Sequence, residues 1–406
     1  MTATSRHYLP VLISACLLLI LSFGLRSGFG LFMQPMSSAN GWGRDVLAMA
    51  LGIQNLAWGG FAVLAGGLST RFGNLRVLIG GVVLYGLGIL GMSLSTTPLA
   101  LNSTAGLLVG AGIAGTSFGI VLPAIAAAVP EEKRGWALGI GTAAGSLGQF
   151  LVVPSTQFIL ETVGWLSALQ IMGLVAFSMA LFAIPLARYA AAAAAPSSED
   201  LPISLVQLAY RAFSIRSYSI LVAGFFVCGF HLAFITVHMP AYIVDLGFSP
   251  QTAAWSIGLI GLCNVAGAYY SGILSGRKPM HKLLTFIYLG RAIAIIGFLI
   301  TPPSIASIFV FSGVIGFLWL ATVPPTSGLV ALFFGTRHMP FLYGIVFMSH
   351  QLGSFSGIWL GGYFYESTGN YNGMWLVGIG LALVAAWLHW PMQEQSFQQQ
   401  TGLTRI

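Results

Sequence analysis

KRGWALGIGTAAGSLGQF, Lys133 to Phe150, opens on two basic residues and continues as an apolar run with glycines at 139, 141, 145 and 148. Its pattern returns later in the chain. Gly139-Ile140, Leu147-Gly148, Phe150 and Glu161 recur as Gly344-Ile345, Leu352-Gly353, Phe355 and Glu366, each 205 residues on. The same offset carries Gly24-Leu25-Arg26, Phe29 and Pro35 onto Gly229-Phe230-His231, Phe234 and Pro240. GGLSTR, Gly66 to Arg71, meets GILSGR, Gly272 to Arg277, at an offset of 206. One such match means little where glycine and leucine abound. Agreement across three separate segment pairs marks an internal duplication, and with it the architecture.

The solvent for this duplicated unit follows from composition. The 406 residues are 57% hydrophobic and only 6% charged, where a soluble domain carries about 25% charged residues. Apolar runs, each near the roughly 20 residues a spanning helix needs, lie at about 9–34, 45–68, 75–95, 102–128, 135–160 and 165–187. They resume at about 217–243, 252–275, 282–301, 304–331, 340–365 and 373–391. The expected fold is an all-α integral membrane protein of twelve transmembrane helices in two pseudo-symmetric six-helix bundles, 1–187 and 217–391. A linker, 188–216, and a tail, 392–406, complete the chain. The first run is too long for a signal peptide and lacks a cleavage site, so it reads as a spanning helix. Cys16, Cys228 and Cys263 sit inside apolar runs and imply neither disulfides nor a metal centre.

Charge sidedness sets the orientation. With the N-terminus inside, 13 of the 16 basic residues fall on the cytoplasmic side, and only Arg44 lies outside. Both termini are then cytoplasmic, in a cell inner membrane. The net charge of +7 is topological and gives no reason to expect nucleic acid. Both copies of the repeat begin on the same side, so they are parallel repeats, an arrangement suited to a midplane substrate site between two halves.

Gly66 to Arg76, GGLSTRFGNLR, resembles the major facilitator superfamily signature after the second helix: Gly66, Arg71, Gly73 and Arg76 fit, while Thr70 stands where that signature has an acidic residue. Gly41, Trp42 and Arg44, together with the run from Lys133 through Gly139 and Gly145 to Gly148, are similar to the monocarboxylate and oxalate/formate grouping. The resemblance implies a transporter in which Gly66, Arg71, Gly73, Arg76, Gly139, Gly145 and Gly148 form a gating or structural motif; the protein is expected to be monomeric and to need no cofactor. It departs in the eighth span, where Asn264 and Ala268 occupy positions that are acidic and arginine in those carriers. Their substrate arginine is therefore not carried over.

Two arginines lie near mid-depth, Arg26 in the first span and Arg291 in the ninth. An arginine at the bilayer centre costs about 2.5–3.5 kcal/mol on insertion scales and marks function by default. No Asp or Glu lies at that depth: Asp45, Glu161, Asp245 and Glu366 are at outer helix ends, and the other five acids are cytoplasmic. The missing counter-charge is expected from a carboxylate substrate held by a planar guanidinium. Arg26 is the leading ligand, since the first span lines the cavity in this fold; Arg291 is expected chiefly to steady packing. His231 occupies the repeat position of Arg26 and is the candidate for proton coupling. Its spacing to His238 also permits a metal pair, but no third ligand is evident. Gln54, Asn55, Trp58, Asn264 and His350 complete the candidate substrate ligands, with Gln149, Ser117 and Trp319 as weaker ones.

The expected function is secondary transport of a small organic anion, proton-coupled. Efflux of an amphipathic drug or metabolite is the nearest alternative, given 13% aromatic residues. An intramembrane enzyme would need a catalytic constellation that the spacing does not offer. A non-transporting sensor lacks a soluble output domain.

Overall fold

The structure is a computed structural model, and it describes residues 8–188 and 205–401. Part of the expected linker, 189–204, and the end of the tail, 402–406, lie outside the described residues. Among those described, the chain is helical throughout, without a strand. That follows from the solvent: with no water to hydrogen-bond the backbone, the amides of an apolar run are satisfied within helices.

The helices are α1 Tyr8–Asn40, α2 Arg44–Phe72, α3 Asn74–Leu94, α4 Pro98–Ala128 and α5 Glu131–Ala183. Within the expected linker comes a short helix, α6 Leu205–Phe213. There follow α7 Arg216–Asp245, α8 Pro250–Ser275, α9 Met280–Ile300, α10 Ile305–Phe317, α11 Val323–Thr368, α12 Asn372–His389 and α13 Phe397–Thr401. Nine of the described helices are long and apolar enough to cross a bilayer, against the twelve spans expected. Three places account for the difference. The 53-residue α5 breaks at Gly164 (φ 80°), where two spans were expected. The tenth span consists of two short apolar helices, Ile305–Phe317 and Val323–Gly335, and the eleventh continues from the latter beyond Gly335 (φ 75°). Only glycine takes such positive φ without strain.

The chain divides into two compact units, and the division is not the one drawn from the repeat. Counting their described residues, one unit holds Met1–Ala193 with Phe234–Leu262 and Ile358–Tyr371. The other holds Ala194–Ala233, Cys263–Gly357 and Asn372–Ile406. In the first, the core gathers Leu18, Leu19, Phe29, Phe32 and Tyr85, whose hydroxyl donates to the Ser22 carbonyl at 2.8 Å. In the second, Trp375 packs edge-on against Phe298 and Phe311, with Tyr218, Tyr288 and Phe333 also fully buried. Outward-facing Val63, Leu64, Leu174, Leu181, Val310 and Leu376 are exposed, as suits a surface solvated by lipid.

The repeat register turns out to be a packing register. A Cβ on Gly148 would collide with the Ile20 carbonyl oxygen, and one on Gly24 would lie 2.7 Å from the Gly148 oxygen, so α1 and α5 cross with backbones in contact. At their repeat positions, Gly229 abuts the His350 carbonyl and Gly353 the Phe226 carbonyl, where α7 crosses α11. Small residues permit this approach, and close packing holds membrane helices together where hydrophobic driving force is absent.

Candidate functional site

Arg26, Asn55, Trp58 and Ser117 converge in the first unit from three helices. Asn55 donates to the Leu51 carbonyl at 2.9 Å, which fixes its amide, and its Oδ1 accepts from Arg26 Nη2 at 2.8 Å. The guanidinium lies over the Trp58 indole, 5.0 Å from the ring centroid, a cation–π contact. Trp58 Nε1 donates to Ser117 Oγ at 3.3 Å. Arg26 is half-buried, and its Nε is buried with no hydrogen-bond partner. Ser117 has extended backbone (φ −91°, ψ −177°), splitting α4 into Val109–Thr116 and Phe118–Ala128. Phe118, the first residue after the break, stacks on Phe23 at 4.3 Å, and Gly145 lies against both rings. No carboxylate pairs with Arg26 among the described residues, where the ion pairs are Arg44–Asp245 and His281–Glu394.

The other expected ligands are held elsewhere. Gln54 is buried and donates to the Ala105 carbonyl at 2.9 Å, within the π-helical turn Asn102–Leu108. A π turn disturbs the regular ladder, and Gln54 supplies a donor there. Arg291 and Asn264 together hold the interruption between α10 and α11. Arg291 is fully buried at 0% exposure; its Nη2 donates to the carbonyls of Leu318 (2.9 Å) and Trp319, and its Nε to Leu318. Asn264 Oδ1 accepts from the Leu320 amide at 2.9 Å. A cation at the carbonyl end of α10 satisfies groups that the helix leaves open. Backbone oxygens thus satisfy Arg291 Nε and Nη2, while its Nη1 is buried with no hydrogen-bond partner.

His231 is 2% exposed, so it lies within the helix packing, and its Nε2 donates to the Gly378 carbonyl at 2.8 Å. Its Nδ1 is buried without a partner. His350 is half-buried, with Nδ1 3.1 Å from Gln351 Oε1 and its ring parallel to Phe347. His238 donates from Nε2 to the Ile358 carbonyl at 2.8 Å and pairs through Nδ1 with the Tyr371 hydroxyl, so both its ring nitrogens are engaged. Gln149 spans from Ser27 to the Ile257 carbonyl. Of the glycines in the expected gating or structural motif, Gly73 (φ 85°) makes the tight turn between α2 and α3, while Gly66 and Gly139 stand in open space. Arg71 and Arg76 are exposed.

A cluster that the sequence reading did not assemble lies at the end bearing Arg44. Its guanidinium grips Asp245 through both oxygens, at 2.7 and 2.8 Å, and stacks on Tyr365 at 3.8 Å. The Arg44 amide donates to Glu366 Oε1 at 2.7 Å. Arg44 also donates to the Tyr371 hydroxyl, which donates in turn to His238 Nδ1. Burial raises the Tyr371 phenol well above its ordinary range, although Arg44 opposes it. The signal was present: a lone cation assigned to the side that carries four acids. Nearby, a cavity of about 300 Å³ is lined by Gly30, Gln34, Gln157, Pro240 and Pro250 among others. Gln34 is bonded to Asp245, itself paired with Arg44, and Gln157 to Glu161.

The sequence profile of the Major Facilitator Superfamily matches residues 15–357. The chain is 25% identical to monocarboxylate transporter 13 of Rattus norvegicus, over 90% of this chain and 84% of that protein. An uncharacterized MFS-type transporter of Bacillus subtilis, YcxA, is also 25% identical, over 88% of this chain and 89% of its own. Among solved structures, that of the nucleoside transporter NupG matches with a TM-score of 0.79 at 15% identity, covering 94% of this chain and 99% of that one.

Proposed function

The chain belongs to the major facilitator superfamily, and from that premise we propose that it is a secondary active transporter of a small organic anion, a monocarboxylate or related carboxylate, driven by proton symport through alternating access. The observation that carries the reading is Arg26. It is half-buried, oriented by Asn55 and Trp58, and has no carboxylate partner among the described residues. A cation so placed is costly unless something neutralises it, and a substrate carboxylate supplies both charge and geometry. Relatives named as monocarboxylate transporters support the substrate class. Charge sidedness supports an inner-membrane location with both termini cytoplasmic, and the protein acts as a monomer.

The proton travels on the substrate or on His231, whose Nδ1 needs no existing hydrogen bond broken to accept it. Uptake into proteoliposomes under an imposed proton gradient tests the whole reading. Arg26→Ala is expected to abolish carboxylate uptake while leaving the protein folded, and full uptake by that variant refutes the binding claim. Uptake that is indifferent to collapse of the gradient refutes symport. A loss of proton dependence in His231→Gln assigns the proton to the protein; its retention assigns it to the substrate. Transport of neutral amphipaths in place of acids would favour efflux of such compounds.

A further inference from the structure

We infer that the Arg26 site selects monocarboxylates bearing a flat aromatic body, and that Phe118 is the residue that sets this preference. The inference rests on the reading of Arg26 as the carboxylate ligand. It adds what the surroundings of that arginine demand of the rest of the substrate.

Phe23 and Arg26 stand one turn apart on α1 and so share a face. Phe23 meets Phe118 in a near-parallel stack, 4.3 Å between centroids at 24°, and Trp58 edge-on at 6.0 Å. Trp58 cannot rotate freely, because its indole N–H is tied to Ser117. Beyond Arg26 lies a wall of three aromatic rings with fixed orientations. Two of these rings, Phe23 and Phe118, are half-exposed. Gly119, next to Phe118, is also exposed, and a Cβ built on it meets nothing within 4 Å.

Gly145 makes the arrangement possible. A Cβ there would lie 2.9 Å from Phe118 Cζ and 3.4 Å from Phe23, so a side chain at this position would displace the rings. The break at Ser117 has a related effect, because it turns the start of the lower half-helix, and with it Phe118, toward α1. Glycine and helix break, on two separate helices, both serve the placement of one ring.

The chemistry follows from what the wall can and cannot satisfy. An aromatic body lies against Phe23 and Phe118 by offset or edge contact, the arrangements that ring quadrupoles favour. A short aliphatic acid leaves that wall uncovered. A second carboxylate meets no further cation within this unit, since its other described basic residues lie at the two helix ends: Arg44 at one, and Arg71, Arg76, Lys133, Arg134 and Arg188 at the other. It would be desolvated without a partner. The site therefore suits one carboxylate and one ring.

The test uses the purified full-length protein in detergent and reads ligand-induced thermal stabilisation. The probes are propionate, phenylacetate, phenylacetamide and phthalate. Phenylacetate is expected to stabilise at a concentration at least about tenfold below propionate, given the ring area removed from water, while phenylacetamide and phthalate have no effect. Phe118→Ala is expected to bring phenylacetate to within about twofold of propionate. A helical circular-dichroism spectrum and a cooperative melt without ligand show that the variant is folded; should Phe118→Ala not fold, Phe118→Leu keeps the bulk and loses the flat face. Equal stabilisation by propionate and phenylacetate in the wild-type protein overturns the inference and leaves Arg26 intact as a carboxylate ligand. An unchanged preference in the Phe118 variants, or phthalate binding as tightly as phenylacetate, overturns it too. If no acid stabilises the protein, the Arg26 reading fails, and this inference with it.

Discussion

Replacing Gly148 by alanine adds a single methyl group at the crossing of α1 and α5. Built on the present backbone, that Cβ collides with the Ile20 carbonyl oxygen and lies 2.8 Å from both the carbonyl carbon and Cα of Ile20. All three are main-chain atoms, so no side chain can swing aside. Restoring ordinary contact at roughly 3.5 Å requires the two helices to part by something near 1 Å. A radial gap of about 0.5–1 Å already forfeits a quarter to a half of each dispersion contact along the interface. The expected cost is about 1–3 kcal/mol, the usual range for overpacking, read as a melting midpoint several degrees lower for the purified protein in detergent. Gly353→Ala, at the repeat position on α11 against the Phe226 carbonyl, should behave alike. Gly139→Ala and Gly344→Ala supply internal controls, because they sit at matched repeat positions yet meet nothing within 4 Å. Those two should be neutral or slightly stabilising, since alanine is the better helix former. A Gly148→Ala protein that melts with the wild type, or a Gly139→Ala protein harmed as badly, refutes the claim that the repeat register is a packing register.

Three further expectations come from particular bonds. Arg44→Gln breaks a two-oxygen grip on Asp245, whose partner side chains are 10% and 28% exposed; a double-mutant cycle with Asp245→Asn should return a coupling of about 0.5–3 kcal/mol, and additive melts would show the pair to be idle. Arg291→Lys keeps the charge but loses the fork that reaches Leu318 and Trp319 together. It should lower the melting midpoint without altering which acids bind, and a changed acid preference would return Arg291 to the list of substrate ligands. Gln54→Leu strips the Ala105 carbonyl of its side-chain donor, with a cost of about 1–3 kcal/mol if water does not replace it; unaltered stability in thermal melts would count against a structural role for Gln54.

Much of this architecture is legible from residue pattern alone. Apolar runs of spanning length can bury their backbone amides only as helices, so composition dictates the class. The 205-residue register was legible because close helix crossings tolerate only small side chains, and Gly24, Gly148, Gly229 and Gly353 therefore had to recur in step. Arg26 stood out because a charge without a carboxylate at its depth is expensive wherever it points. What pattern could not separate is a polar residue serving a cavity from one serving a defect in a neighbouring helix. Gln54, Asn264 and Arg291 each look like candidate ligands on their own helices. Their partners are a π turn in α4 and the interruption after α10, both set by the backbone of another segment. Likewise Arg44 meets Asp245 and Glu366, 201 and 322 residues away. Those distances close only in three dimensions, because a hydrogen bond depends on which helix faces which, and sequence spacing records only the order along one.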